Sequence, residues 1–367
     1  MLSDYITIQK VRDEGVTVAI AADSKVSDYI KTWQAILERV CRQWFESKTL
    51  TLKVNGNDSD TLFFGVPIIS IEHLKINGSS TALDSSLYKV YSANGVLDDK
   101  KNPKISLIGP DSYQDIFAAP VVAGRLKFRK GRQNQEVKGA FGYIETDVKA
   151  YGSIQFVAKA NLVDGETFVL NDGTNPAVTF YFDQTGGYTP PGGYDATNVR
   201  VNVSGDTSAD EVALTARTAI NLATALDITA GTIDTGGLLR LQNDLGGVDG
   251  NQLITETVTY ADFKVYGMAG GGVPYPIARA LLKLVIEKLT KPIYDPAGTV
   301  TPMPSVLGSL IEERTDGHSL KWGSAGGGFS KRRAGLSGIT EDPEVLDILK
   351  LFKAPIGVAS PEHWTYD

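Results

Sequence analysis

The 367 residues exceed one typical domain, and 42% hydrophobic with 22% charged residues is the balance of an ordinary globular chain of two domains, not of a low-complexity or collagen-like one. No apolar run is long enough to cross a bilayer, the first residues lack a signal-peptide core, and the single cysteine, Cys41, rules out an internal disulfide, so neither export nor a membrane anchor is expected. The net charge of −7 is concentrated in one place: between Ala150 and Gly272 five lysines and arginines face fourteen aspartates and glutamates, and eighteen of the 38 glycines fall there too, which marks a separate acidic domain without the basic stripe of a nucleic-acid-binding module.

Residues 5–14 suit a short helix with Ile8 and Val11 inward and Gly15 as its stop. In the next helical stretch Val26, Ile30, Trp33, Leu37, Val40 and Trp44 recur at alternating steps of four and three and form one apolar face. Burying six such side chains is worth on the order of 10 kcal/mol before the entropy of ordering is subtracted. Cys41 sits beside that face as a packing residue. TLTLKV and TLFF alternate around the turn sequence NGNDSD and read as a strand pair, and PIISIEHLKI reads as a third strand. Further short strands are expected up to residue 108.

RLKF and VKGAFGYI look like the arms of a hairpin with RKGRQNQE at its tip. Arg125, Lys127, Arg129, Lys130 and Arg132 place five cations within eight positions there. Such a tip is either a solvated hairpin end that protects a sheet edge or a contact for phosphates or an acidic partner.

From 150 to 272, SIQFVAKANL, ETFVLND, AVTFYFD, NVRVNVS, GLLRLQND, QLITETVTY and DFKVYG are strand-like. One helix opens with a capping box at Ser208-Ala209-Asp210-Glu211, and Val212, Ala216, Ala219, Ala223 and Leu226 line its inner face. A helix against a curled antiparallel sheet is the expected form, and GMAGGGVP reads as a hinge. Pro276 then starts a helix with Ile277, Leu281, Leu284, Val285 and Ile286 apolar. SLIEERTDGHSLKWG reads as a hairpin turned at Asp316-Gly317, and a final helix is capped by Asp342 with Pro343 at its first position. Residues 353–367 carry prolines, the Trp364 and Tyr366 pair and no helical period, the character of a partner-seeking arm.

The order of the long helix, RQWFESKTLTLKVNGNDSDTLFF, then GVPIISIEHLKI, resembles the head-to-tail connector, or adaptor, proteins of tailed double-stranded DNA phages. Past the acidic stretch, L-x-L-V-I, T-D-G-H-S, D-P-E-V-x-D-I-L and P-I-G-V-A continue the resemblance, which covers about 1–149 and 273–367 and leaves 150–272 as an insertion. The resemblance implies an α+β fold: a discontinuous helical connector core with β-hairpins or a small antiparallel sheet, plus an inserted β-rich domain carrying one helix. It further implies a structural virion protein of the neck, made in the host cytoplasm, whose twelve copies form a ring. The implied partners are the portal protein, a tail-side neck protein (a stopper or tail terminator), other copies of the chain, and double-stranded DNA passing through the lumen during packaging and ejection, without sequence preference. The family's C-terminal segment commonly engages the portal, which assigns that role to Pro355, Ile356, Pro361, Trp364 and Tyr366.

Catalytic and cofactor readings have little to stand on. No phosphate-binding P-loop occurs, and His73, His318 and His363 belong to no metal-ligand spacing, so no enzyme activity, metal or cofactor is expected. The Asp-Gly pairs at Asp164, Asp172 and Asp249 read as turns, because none has the alternating oxygens of a calcium loop. A Ser-His-Asp set drawn from distant segments is left open. The alternative function is a carbohydrate- or surface-binding protein in which 150–272 is the binding module and Tyr181, Phe182, Tyr188 and Tyr194 form its face.

Overall fold

The computed structural model describes residues 4–91, 102–108, 126–290, 313–315, 318–320, 339–340 and 342–354. Two helices, α1 (Ile8–Asp13) and α2 (Asp23–Cys41), precede six strands: β1 (Lys48–Gly56), β2 (Thr61–Phe63), β3 (Ile68–Lys75), β4 (Tyr88–Tyr91), β5 (Lys104–Leu107) and β6 (Gly131–Phe141). The middle of the chain supplies β7 (Lys149–Gln155), β8 (Thr167–Leu170), β9 (Val178–Asp183), β10 (Asn198–Asn202), α3 (Ala209–Leu222), β11 (Ile228–Asp234), β12 (Leu238–Gly246), β13 (Thr255–Glu256) and β14 (Lys264–Ala269). Helix α4 (Tyr275–Thr290), the paired strands β15 (Glu313–Thr315) and β16 (His318–Leu320), and α5 (Pro343–Leu351) complete it.

Strands hold 32% of the residues and helices 25%, so the expected helical connector core is replaced by a mostly β structure. The physical reason is visible in its three apolar cores. Helices α1, α2, α4 and α5 enclose only one of them, built on Val11, Val26, Ile30, Leu37, Ile277, Leu281, Leu284, Val345 and Leu349. A second core belongs wholly to strands and loops between residues 44 and 141, and a third lies within 150–268. Period-two burial along β1 and β6, with β3 paired to the other side of β6, gives the first part of the chain a sheet of its own rather than hairpins decorating a bundle.

α2 and α4, on either side of the middle domain, lie in the same core, and Lys288 Nζ of α4 sits 5.4 Å from the centroid of the Trp33 ring. α2 is shorter than its apolar period: Arg42 turns left-handed at φ 58°, and the helix stops at Cys41. Beyond that point the chain bends, and neighbouring side chains point in different directions. Phe45 enters the helical core, while Trp44 enters the strand core and donates its indole N–H to the Phe141 carbonyl at 2.9 Å.

The strand pairing also departs from expectation. β1 does not pair with β2; it lies beside β6, in a sheet ordered β1-β6-β3, while β2, β5 and β4 form a second sheet. Most of the expected hairpin tip is therefore strand, because β6 begins at Gly131 and is paired on both sides. A β-carbon at Gly139 would stand 2.1 Å from the Ser70 carbonyl oxygen, so only glycine admits β3 at that point.

In the middle domain two four-stranded sheets, β10-β9-β8-β13 and β11-β12-β7-β14, enclose the core with α3 instead of the single antiparallel sheet expected. β9 and β10 are parallel, joined by the crossing segment 184–197. α3 opens as its sequence predicts, with Ser208 and Glu211 exchanging capping bonds.

Candidate functional site: a basic tip with a locked backbone

At one end of the β1-β6-β3 sheet, three segments converge: Gly56 at the end of β1, Asn77 and Gly78 after β3, and residues 126–135 leading into β6. Phe128 bridges to Ser59 and is fully buried in the strand core, which pins the entry of this last segment. Three asparagine and glutamine side chains then fix the backbone. Gln135, fully buried, accepts from the Asn77 N–H at 2.9 Å and donates to the Arg129 carbonyl at 3.2 Å. Asn134 donates to the same carbonyl at 2.8 Å and accepts from the Gly56 N–H at 3.0 Å. Asn77 accepts from the Arg129 N–H at 2.8 Å and donates to the Lys127 carbonyl at 3.0 Å.

The chain is drawn so close that a β-carbon at Gly56 would lie 1.8 Å from the Arg129 oxygen. Gln133 takes φ 49°, and its N–H is held by the Asn55 side chain at 2.7 Å. The buried Gln135 amide satisfied in this way helps hold one loop conformation, since leaving a buried group unpaired would cost about 1–3 kcal/mol.

Lys127, Arg129, Lys130 and Arg132 project from this frame, and all four are exposed. Among the described residues none of the four side chains has a carboxylate partner. Farther along the same sheet the lysines are paired: Glu136 meets Lys75 at 2.7 Å, with the His73 ring 3.1 Å from the same carboxylate, and Lys138 meets Glu72 at 2.7 Å. Hydrogen bonds from Lys75 and His73 hold the Glu136 carboxyl below its ordinary range. Neutralised charge along the sheet and free charge at its end leave a concentrated positive point on a chain of net charge −7. Cations of this kind neutralise phosphates and position a polyanion without reading its sequence. Arg125, expected with them, lies outside the described residues.

The expected arm residues Pro355, Ile356, Pro361, Trp364 and Tyr366 also lie outside the described residues. What is described is the arm's root. α5 is followed by its C-cap Phe352, whose ring meets Tyr143 at 5.3 Å and Phe45 at 5.7 Å, both edge-on. The Ala354 N–H donates to the Cys41 carbonyl at 2.9 Å, and the Gln43 side chain donates to the Phe352 carbonyl. Residue 354 is thus tied to the end of α2, beside a groove lined by Phe64, Pro103, Tyr143 and the exposed Leu351.

The four aromatics expected as a sugar-binding face are not all on one surface. Tyr181 and Tyr188 stack at 6.4 Å, and Tyr194 donates to the Tyr188 carbonyl at 2.8 Å, but Phe182 is fully buried against Phe156, Phe168 and Phe263. Burial pushes the Cys41 thiol up to about 12. Asp172 and Asp164 accept backbone N–H groups of the turns they sit in or face, at 2.7 and 2.5 Å respectively. Among the described residues no three His, Cys, Asp or Glu side chains are placed to hold a metal ion, and no helix is long and apolar enough to cross a membrane.

The amide frame of the tip was not foreseeable from sequence, because glutamine and asparagine are ordinarily surface residues and RQNQE has no apolar period. No family model matches the chain, and neither does any curated protein or solved structure.

Proposed function

We propose that the chain is one subunit of a ring in the neck of a tailed phage, which joins the capsid portal to a tail-side component and lets double-stranded DNA pass through its lumen. The observation that carries this reading is that the two stretches resembling connector proteins, although separated by the middle domain, close around one helical core, with Trp33 and Leu284 in the same cluster. The tethering of Ala354, the last described residue, supports it as well. An arm that must reach a neighbour needs a fixed origin, and the bond from Ala354 to the end of α2 supplies one. The basic tip adds a sequence-independent contact for the passing duplex, with a charge confined enough to release it. A ring subunit also needs two different complementary surfaces, one for each neighbour.

The test is portal attachment. Full-length chain is mixed with purified portal and imaged after size separation, beside a chain ending at Ala354. The full chain decorates one end of the portal, and the shortened chain folds but does not attach. Attachment by the shortened chain would remove the arm from the account, and no attachment by the full chain would remove the connector reading itself.

A further inference from the structure

The middle domain is joined to the rest of the molecule by two crossings, and these are hydrogen-bonded to each other. The Glu145 N–H donates to the Gly272 carbonyl at 2.8 Å, and the Gly272 N–H donates to the Val148 carbonyl at 2.9 Å. Gly270 and Gly272 have φ of 81° and 75°, values that suit glycine, and Gly271 exchanges two hydrogen bonds with the Asn251 side chain at 2.7 and 2.8 Å. The glycine run read as a hinge is therefore held by hydrogen bonds in this arrangement.

Beyond the crossings, the contact between the middle domain and the helices is polar. The apolar cores of the two bodies are separate clusters. β12, β7 and β14 are neighbours, and their register sets Arg240, Ser153 and Tyr266 abreast. Arg240 reaches Asp13, at the end of α1, with both terminal nitrogens, at 2.7 and 2.8 Å, and its Nε donates to Asp234 at 2.8 Å. The Tyr266 hydroxyl donates to Asp23, at the start of α2, at 3.1 Å, and the same carboxylate takes Arg12 at 2.5 Å. Burial, with Asp23 beside it, pushes the Tyr266 hydroxyl up to about 12, so it stays a donor at neutral pH. Contacts between domains that are polar rather than apolar leave relative motion as the default, and a forked arginine–carboxylate pair is the strongest of such contacts.

We propose that the Asp13–Arg240 and Asp23–Tyr266 contacts form a latch that holds the acidic domain in one orientation against α1 and α2, and that opening the latch lets the domain pivot on Gly270–Gly272. The latch belongs to the subunit itself and does not depend on the ring reading.

The test uses the full chain with spin labels on Thr32→Cys in α2 and Thr218→Cys in α3, both exposed positions; the native Cys41 is buried. At low salt the distance distribution is narrow. In Arg240→Gln/Tyr266→Phe it broadens roughly twofold or splits, as expected of a polar domain contact that has lost its fork. The unmutated pairs, in 1 M salt where the screening length falls to about 3 Å, broaden likewise, so the result does not depend on the variant folding. A distribution that stays narrow in 1 M salt, or in the folded double variant, overturns the latch.

Discussion

Replacing Arg129, Lys130 and Arg132 together by alanine removes three of the four exposed cations at the tip and leaves Lys127. On duplex DNA each neutralised phosphate contributes about −0.9 to the slope of log K against log salt, so four contacts give a slope of about −3.6 and a loss of about 150-fold between 50 and 200 mM salt. The triple variant, with one contact, has a slope of about −0.9 and loses only about 3.5-fold over the same range. If several subunits engage one duplex, both slopes grow together and their ratio stays near four. Fluorescence anisotropy with two labelled duplexes of unrelated sequence measures this, and the two should behave alike because phosphate contacts carry no base information. The fold is not at risk: the replaced side chains are exposed, the frame is made by Asn77, Asn134 and Gln135, and such surface changes stay within about 0.5 kcal/mol. Equal slopes for variant and parent, or a preference for one sequence, would refute the reasoning. Binding to polyglutamate but not to either duplex would assign the tip to a protein partner.

Phe45→Ala removes a fully buried ring that touches Tyr5, Tyr143 and Phe352, and should cost about 3–5 kcal/mol in denaturant unfolding; a loss below 1 kcal/mol would mean that α5 is not held there. Hydrogen bonds from Thr207 and Ser208 lower the Glu211 carboxyl to about 2, so the support it gives the start of α3 is complete above an unfolded value of about 4.3 and fades as pH falls toward 2. The protection factors of amides in the first turn of α3, taken relative to the intrinsic exchange rate at each pH, should therefore fall between pH 5 and pH 2 in the parent, and Glu211→Gln should abolish that dependence. Excising 150–272 with a short Gly-Ser join should leave a folded chain, because no member of the helical core lies within the excised residues and the remaining ends are close, Gly272 before Val273 being hydrogen-bonded to both Glu145 and Val148. An unfolded product would show that the two bodies depend on each other.

The helices were largely legible because their signals are local. Ser208 and Glu211 announce α3, Asp342 and Pro343 announce α5, and the four-and-three spacing from Val26 to Leu37 announces α2. What local signals miss is competition between equally suitable partners. The turn sequence NGNDSD suggests that β1 should fold back on β2, yet β6, more than seventy residues later, offers an eleven-residue strand with alternating burial and takes both β1 and β3. Taking the balance of the fold from the resemblance gave the helices too much weight, since the strand core around Leu52, Phe128, Val137 and Phe141 is assembled from contacts distant in sequence. At the tip the basic residues were plain, but the buried Gln135 that fixes them was not. Its burial depends on acceptors and donors supplied by Asn77 and Arg129, which only the fold brings near.

Native mass measurement of the full chain, alone and with portal, should find a closed species near twelve times the 39.4 kDa chain mass. A chain that remains monomeric at every concentration, both alone and with portal present, would contradict the ring reading.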